Sequence, residues 1–221
     1  MQTEIVGNPD FGHLKMVLDG GDSVFVESGA MAAMDEQIKV EIKMLGGFIP
    51  AVARKLLAGE SLLVGKYSSV GASQRLNVSP AIPGQVMYKK LQGETYLMQA
   101  GSFMACTEGV TLSTVFGGLK AIFSGEGMFF IKVGGHGDLW YNSYGSIVER
   151  ELRDSELIVD TGHIVAWEPS LNWKIQGMGN LMSTVFSGEG LVMKFSGTGK
   201  VWLQTRSLGG LTNWLGGYCV G

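Results

Sequence analysis

AIFSGEGMFFIKV, from Ala121 to Val133, decides the fold, because the chain carries the pattern three times. TVFSGEGLVMKF runs from Thr184 to Phe195, and a more diverged copy, LLAGESLLVGKY, runs from Leu56 to Tyr67. In each, an apolar pair, a small residue and a Gly-Glu step (Gly59-Glu60, Gly125-Glu126, Gly188-Glu189) lead into an apolar run that holds one lysine. A second motif precedes each copy: VFVESGAMAAM from Val24, YLMQAGSFMAC from Tyr96 and LIVDTGHIVAW from Leu157. Its glycines, Gly29, Gly101 and Gly162, lie 30, 24 and 26 residues before Gly59, Gly125 and Gly188. Two motifs recurring in one order at a nearly constant separation mark internal repetition. The pattern predicts a single domain, 1–221, of three similar units: 1–75, 76–138, and 139–221 with a C-terminal tail.

Composition points to an all-β chain. The 34 glycines among 221 residues are about twice the usual ~7% share, yet they follow no collagen period and sit between strand-like runs, which suits tight turns and bulges. With 45% hydrophobic residues the chain is able to bury a substantial core. The expected architecture is three antiparallel β-sandwich-like units about a pseudo-threefold axis, with one short inserted helix. A formal charge of −3, with Lys and Arg scattered as singles and pairs, speaks against a general nucleic-acid binder, which needs a concentrated cationic face. Two cysteines and the lack of a basic-then-apolar amino terminus lead to the expectation of a cytoplasmic protein with reduced thiols. No apolar run approaches the ~20 residues that span a bilayer.

Along the chain, IKVEIKM from Ile38 to Met44 reads as a half-buried strand, with Ile38, Val40, Ile42 and Met44 on the covered face. Phe48 to Ala58, with Pro50 in its first turn, is the predicted helix. Gln85 to Leu91 reads as a strand. Met128 to Val133, broken by Lys132, reads as a strand covered on both faces or one at a crowded edge, ended by Gly134-Gly135-His136-Gly137. Trp140, Tyr141, Tyr144, Trp167, Trp173, Trp202 and Trp214 are expected to fill junctions between packed sheets. Ser207 to Gly221 reads as a docked terminal segment.

Chemistry-bearing patterns are few. His13, His136 and His163 are the only histidines, so a histidine metal site requires long-range convergence. His136 and Asp138 are spaced for joint metal binding, but they follow two glycines, where a polar turn is the preferred reading. Gly197-Thr198-Gly199-Lys200 lacks the Ser or Thr of a phosphate loop. The recurrent ionisable set is Glu60, Glu126 and Glu189: about a threefold axis they form a candidate shared-carboxylate site for a hard cation or for protons, although a turn facing water is preferred. Counted from the Gly-Glu step, Lys66 and Lys132 fall in register and Lys194 falls one residue early, on the opposite strand face. No catalytic residue, cofactor site or assigned metal site emerges.

The three-unit plan, the Gly-Glu steps of LLAGESLLVGKY and VFSGEGLVMKF, and above all the ending VWLQTRSLGGL from Val201 to Leu211 resemble the bacterial and archaeal family related to the mitochondrial biogenesis protein named for altered inheritance of mitochondria. The resemblance covers nearly the whole chain. It implies a β fold of three sandwich-like units in the class of the tryptophan-regulated RNA-binding attenuation protein, and it brings no catalytic residues or cofactor. The expected function is a non-enzymatic scaffold or interaction protein that binds protein partners or itself. The alternatives are a small-molecule or nucleic-acid-binding module and, third, an enzyme with its site at the unit junctions.

Overall fold

Period-two burial builds the first strands: Leu14, Met16 and Leu18 are buried while Lys15 is exposed, and Val24 and Val26 are buried between half-buried neighbours, the signature of a pleated ribbon with one face on a core. The computed structural model describes residues 1–44, 63–116, 129–177 and 191–219. In chain order its strands are β1 (Gln2–Val6), β2 (His13–Leu18), β3 (Ser23–Glu27), β4 (Met31–Met34), β5 (Ile38–Met44), β6 (Leu63–Ser69), β7 (Gln74–Val78), β8 (Val86–Gln99), β9 (Phe103–Thr107), β10 (Val110–Phe116), β11 (Phe129–Asn142), β12 (Ile147–Asp160), β13 (Ile164–Trp167), β14 (Asn172–Gly177) and β15 (Leu191–Gln204). A single-turn 3-10 helix follows β8 at Ala100–Ser102 and β12 at Thr161–His163. Among the described residues one α-helix, α1, covers Leu208–Cys219.

The strand ladders among the described residues are antiparallel. A four-stranded sheet runs β1-β2-β7-β4, and an eleven-stranded one runs β12-β15-β13-β8-β11-β9-β3-β6-β5, with β10 on β11 and β14 on β15. The all-β expectation therefore holds. Residues of the expected helix, Phe48–Ala58, and all three Gly-Glu steps fall outside the described residues. Among the described residues the α-helix lies in the tail, and none there is long and apolar enough to cross a membrane.

The 14-residue strands β8, β11, β12 and β15 bend midway. The β8·β11 register shifts between Gly134 and His136 and the β12·β15 register between Leu152 and Ser155, each a bulge that sharpens the local twist. The Gly134 to Gly137 stretch consequently does not end its strand, contrary to expectation: Gly135 takes up the bulge with φ +100, a conformation that favours glycine, and pairing resumes at His136. Upstream, Phe130, Ile131 and Val133 are buried while Lys132 is exposed, so one face of the strand is covered and the other only in part.

Short contacts join successive stretches of chain. β3 pairs with β9 at Val24 to Thr107, Phe25 to Cys106 and Val26 to Ala105; β8 pairs with β13 at Met98 to Ala166 and Leu97 to Trp167. Linker side chains reinforce both. The Asn8 amide brackets Val86, donating to its O at 2.8 Å and accepting from its N at 2.9 Å, and Gln85 Oε1 accepts from Ile147 N at 3.0 Å. Aromatic edges fill the second junction: Phe130 meets Trp167 at 4.9 Å and Trp173 at 5.5 Å between centroids, and Tyr96 meets Trp202 at 5.4 Å. The junction-filling expectation for Trp167, Trp173 and Trp202 is met, whereas Trp214 sits exposed on α1, against Tyr218.

β4 and β12, by contrast, are terminal strands of their sheets. All four residues of β4 are exposed, while every residue of β13 is buried. Ile158 on β12 is 56% exposed, while Leu97 on β8 is 9% exposed. β5 is also terminal, and here the sequence reading is corrected. Ile38 is buried, but Val40 and Ile42 are exposed, because nothing among the described residues covers that face of the edge strand.

Candidate functional site

The second sequence motif ends each of three strands on a polar residue in the same column: Glu27 on β3, Gln99 on β8 and Asp160 on β12. The chain then turns sharply. After Gln99 and Asp160 it enters the 3-10 turns, and after Glu27 it reverses through Gly29, φ +90, with Ala30 N donating to Glu27 O at 3.2 Å. All three residues line one cavity of about 590 Å³, together with the linker residues Ala81 and Ile82, the strand ends Asn142 and Gln204, and the first turns of α1.

One wall is held by a connected set of hydrogen bonds. Asp160 Oδ1 accepts from Gly162 N at 2.8 Å, Gln204 Nε2 donates to Gly162 O at 2.8 Å, and Gln204 Oε1 accepts from Tyr144 N at 2.9 Å. His163 Nδ1 lies 2.7 Å from Gln204 O; a carbonyl only accepts, so Nδ1 carries the proton of that bond. Thr161 donates from Oγ1 to Leu191 O at 2.9 Å. These bonds satisfy groups that strand ends otherwise leave open.

The other polar groups are not satisfied in this way. Among the described residues the side chains of Glu27 and Gln99 have no hydrogen-bond partner, and burial pushes the Glu27 carboxyl up to about 7 from its ordinary 4.5. Asn142 is 2% exposed, and its Oδ1 is buried without a partner. α1 opens at Ser207, whose Oγ accepts from Gly210 N at 3.1 Å, an N-cap. Beyond its first turns the helix is exposed at Trp214, Leu215 and Tyr218.

The residues singled out by sequence are not brought together. Glu60, Glu126 and Glu189 lie outside the described residues. His136 and Asp138 sit on β11, not in a turn; Asp138 accepts from Tyr88 Oη at 2.7 Å and pairs with Lys90 at 3.4 Å. Among the described residues no group of three His, Cys, Asp or Glu is placed to hold a metal ion. Cys106 is fully buried, and burial pushes its thiol up to about 12. The three lysines overturn the count made from the Gly-Glu step: Lys66 stands opposite Phe25, Lys132 opposite Leu97 and Lys194 opposite Ile158, the same motif column in each case. Lys66 reaches Glu108, and Lys194 reaches Glu156 at 2.6 Å.

Sequence reasoning passed over Glu27, Gln99 and Asp160 because the glycine two residues on drew the alignment. The signal was nevertheless present: a polar side chain recurs after three mostly apolar residues in every copy of the motif.

Comparison with known proteins returns a consistent result. The family model described as Mitochondrial biogenesis AIM24 matches residues 3–206. An uncharacterised protein of Streptococcus pyogenes is 28% identical over 216 residues, covering 94% of this chain and 87% of that protein. The crystal structure of another protein from Streptococcus pyogenes superposes with a TM-score of 0.81 at 27% identity, covering 98% of this chain and 99% of that one.

Proposed function

The chain belongs to the mitochondrial biogenesis AIM24 family, and from that premise we propose that it is a non-enzymatic assembly scaffold that associates with further copies of itself through one open junction. In this reading the three units, 1–75, 76–138 and 139–221, with junctions drawn at nearby strand ends, repeat a pseudo-threefold plan that is left open at its third junction, and they share the sandwich-like class of the tryptophan-regulated attenuation protein. Support comes from the recurrence of one plan. β8 to β11 and β12 to β15 each run long strand, 3-10 turn, short strand, strand, long strand. β2 to β7 follow it with each long strand split by a turn, and Lys66, Lys132 and Lys194 occupy matching places.

The observation that carries the proposal is the pair of unmatched edges. The first unit joins the second through β3·β9, and the second joins the third through β8·β13. Continued once more, that rule sets Val159 of β12 against Ala33 of β4, and Ile158 against Met34. Among the described residues both edges instead end their sheets, and Met31, Met34 and Ile158 are exposed. Unpaired, apolar sheet edges template further pairing. A second copy supplies the complementary edge in a geometry that the chain already uses twice, and reciprocal exchange closes a dimer.

Two further parts of this reading rest on separate observations. The buried free thiol of Cys106 suits a reducing, cytoplasmic setting. A cavity lined by Glu27 and Asp160, with no lysine or arginine among the described lining residues, disfavours the nucleic-acid alternative. Light scattering on the pure chain tests the assembly: a mass of at least twice 23.7 kDa is expected for the native protein at tens of micromolar, with monomers for Met34→Asp and Ile158→Asp. A native monomer, or charged variants that assemble unchanged, overturns the proposal.

A further inference from the structure

We propose that the cavity at the strand ends binds a small organic ammonium compound, an amine of metabolite size. Two carboxylates, Glu27 and Asp160, line it, with no lysine or arginine among the described lining residues. Asp160 already accepts from Gly162 N at 2.8 Å, whereas Glu27 has no partner among the described residues. Asn142 provides an observation independent of charge: it lines the same cavity, is 2% exposed, and its Oδ1 is buried and unpartnered. A buried acceptor without a partner is destabilising, a cost that only a hydrogen-bond donor removes.

Of the unpartnered side chains on the wall, Glu27 and the buried Asn142 Oδ1 are acceptors, while the Gln99 amide offers both a donor and an acceptor. The Glu27 carboxylate and the Asn142 amide oxygen both take hydrogen bonds, and an ammonium group brings three donors and the compensating charge. Burial pushes the Glu27 carboxyl up to about 7, as expected of a desolvated carboxylate with no partner among the described residues. An anion meets two carboxylates here. A divalent ion needs several ligands converging within bonding distance, and no such cluster of His, Cys, Asp and Glu occurs among the described residues. The cavity volume of about 590 Å³ falls within the ~300–1,000 Å³ of small-molecule sites, and Ala81, Ile82 and Leu208 on its wall offer apolar contact to a short methylene chain.

Three probes with the same four-carbon body separate charge from shape: 1,4-diaminobutane, 1,4-butanediol and succinate. Calorimetric titration of the full chain at pH 8 and physiological salt is expected to give saturable binding of the diamine alone, with a rise in the thermal midpoint as its concentration increases. Glu27→Gln, which places at 27 the residue that position 99 carries naturally, is expected to weaken the diamine at least tenfold. Asp160→Asn, which retains the capping oxygen, serves as a second variant and is expected to weaken it as well. No diamine binding, binding untouched in both variants, or equal binding of the diol or the diacid overturns the proposal.

Discussion

Replacing Glu27 with Gln removes a charge from the cavity wall while keeping side-chain size, and its effect on stability has a defined pH window. Burial holds the Glu27 carboxyl near 7 in the folded chain against an ordinary 4.5. Below 4.5 the group is neutral whether the chain is folded or unfolded, so the stability linked to it is fully present. Between 4.5 and 7 the unfolded chain releases its proton while the folded chain retains it, so stability falls as pH rises and the loss is complete above 7. At ~1.4 kcal/mol per pH unit the full difference is about 3 kcal/mol; partial exposure of the cavity to solvent screens the charge and reduces it to about 2 kcal/mol. Gln does not ionise. Without ligand, Glu27→Gln is therefore expected to match the native protein at pH 4.5 and to exceed its stability by about 2 kcal/mol at pH 8. Urea denaturation at four pH values between these limits, followed by the fluorescence of the buried Trp140 and Trp167, measures it; other carboxylates titrate alike in both proteins and cancel. A difference that does not change with pH, or a variant less stable at pH 8, refutes the reasoning.

Trp167 is fully buried, edge-on to Phe130 at 4.9 Å and to Phe195 at 5.7 Å, so Trp167→Ala is expected to cost about 3–5 kcal/mol by cavity formation at the β8·β13 junction; denaturant midpoints measure it. Cys106 is fully buried, and burial pushes its thiol up to about 12, so in a Cys219→Ser background it is expected to ignore a disulfide reagent at pH 8 until the chain is unfolded; absorbance of the released thiolate measures it.

The β class was legible because period-two runs and glycine turns are local properties. What the residues did not reveal concerns what lies beside a strand. Alternation in IKVEIKM shows which side chains share a face, but not that Val40 and Ile42 have no cover. Gly134 to Gly137 looked like a break because glycine both ends strands and permits bulges; the pairing partner on β8 decides between them. Lys194 was misplaced because the count ran from the Gly-Glu step, whereas strand pairing aligns it with Lys66 and Lys132. α1 was hidden by four glycines in LGGLTNWLGGYC, a composition that opposes an isolated helix. The cavity residues stood in plain view within the repeated motif, but only the convergence of three strand ends makes Glu27, Gln99 and Asp160 neighbours of one space.

The open junction is tested most directly by cross-linking across it. Met34→Cys and Ile158→Cys are made separately, each with Cys219→Ser, then mixed and oxidised. Residues facing each other across paired strands lie within reach of a disulfide. The expected result is a covalent dimer, at twice 23.7 kDa, that forms in the mixture and not with either variant alone. A mixture that stays monomeric, or a double variant that closes its disulfide within a single chain, contradicts assembly through β4 and β12.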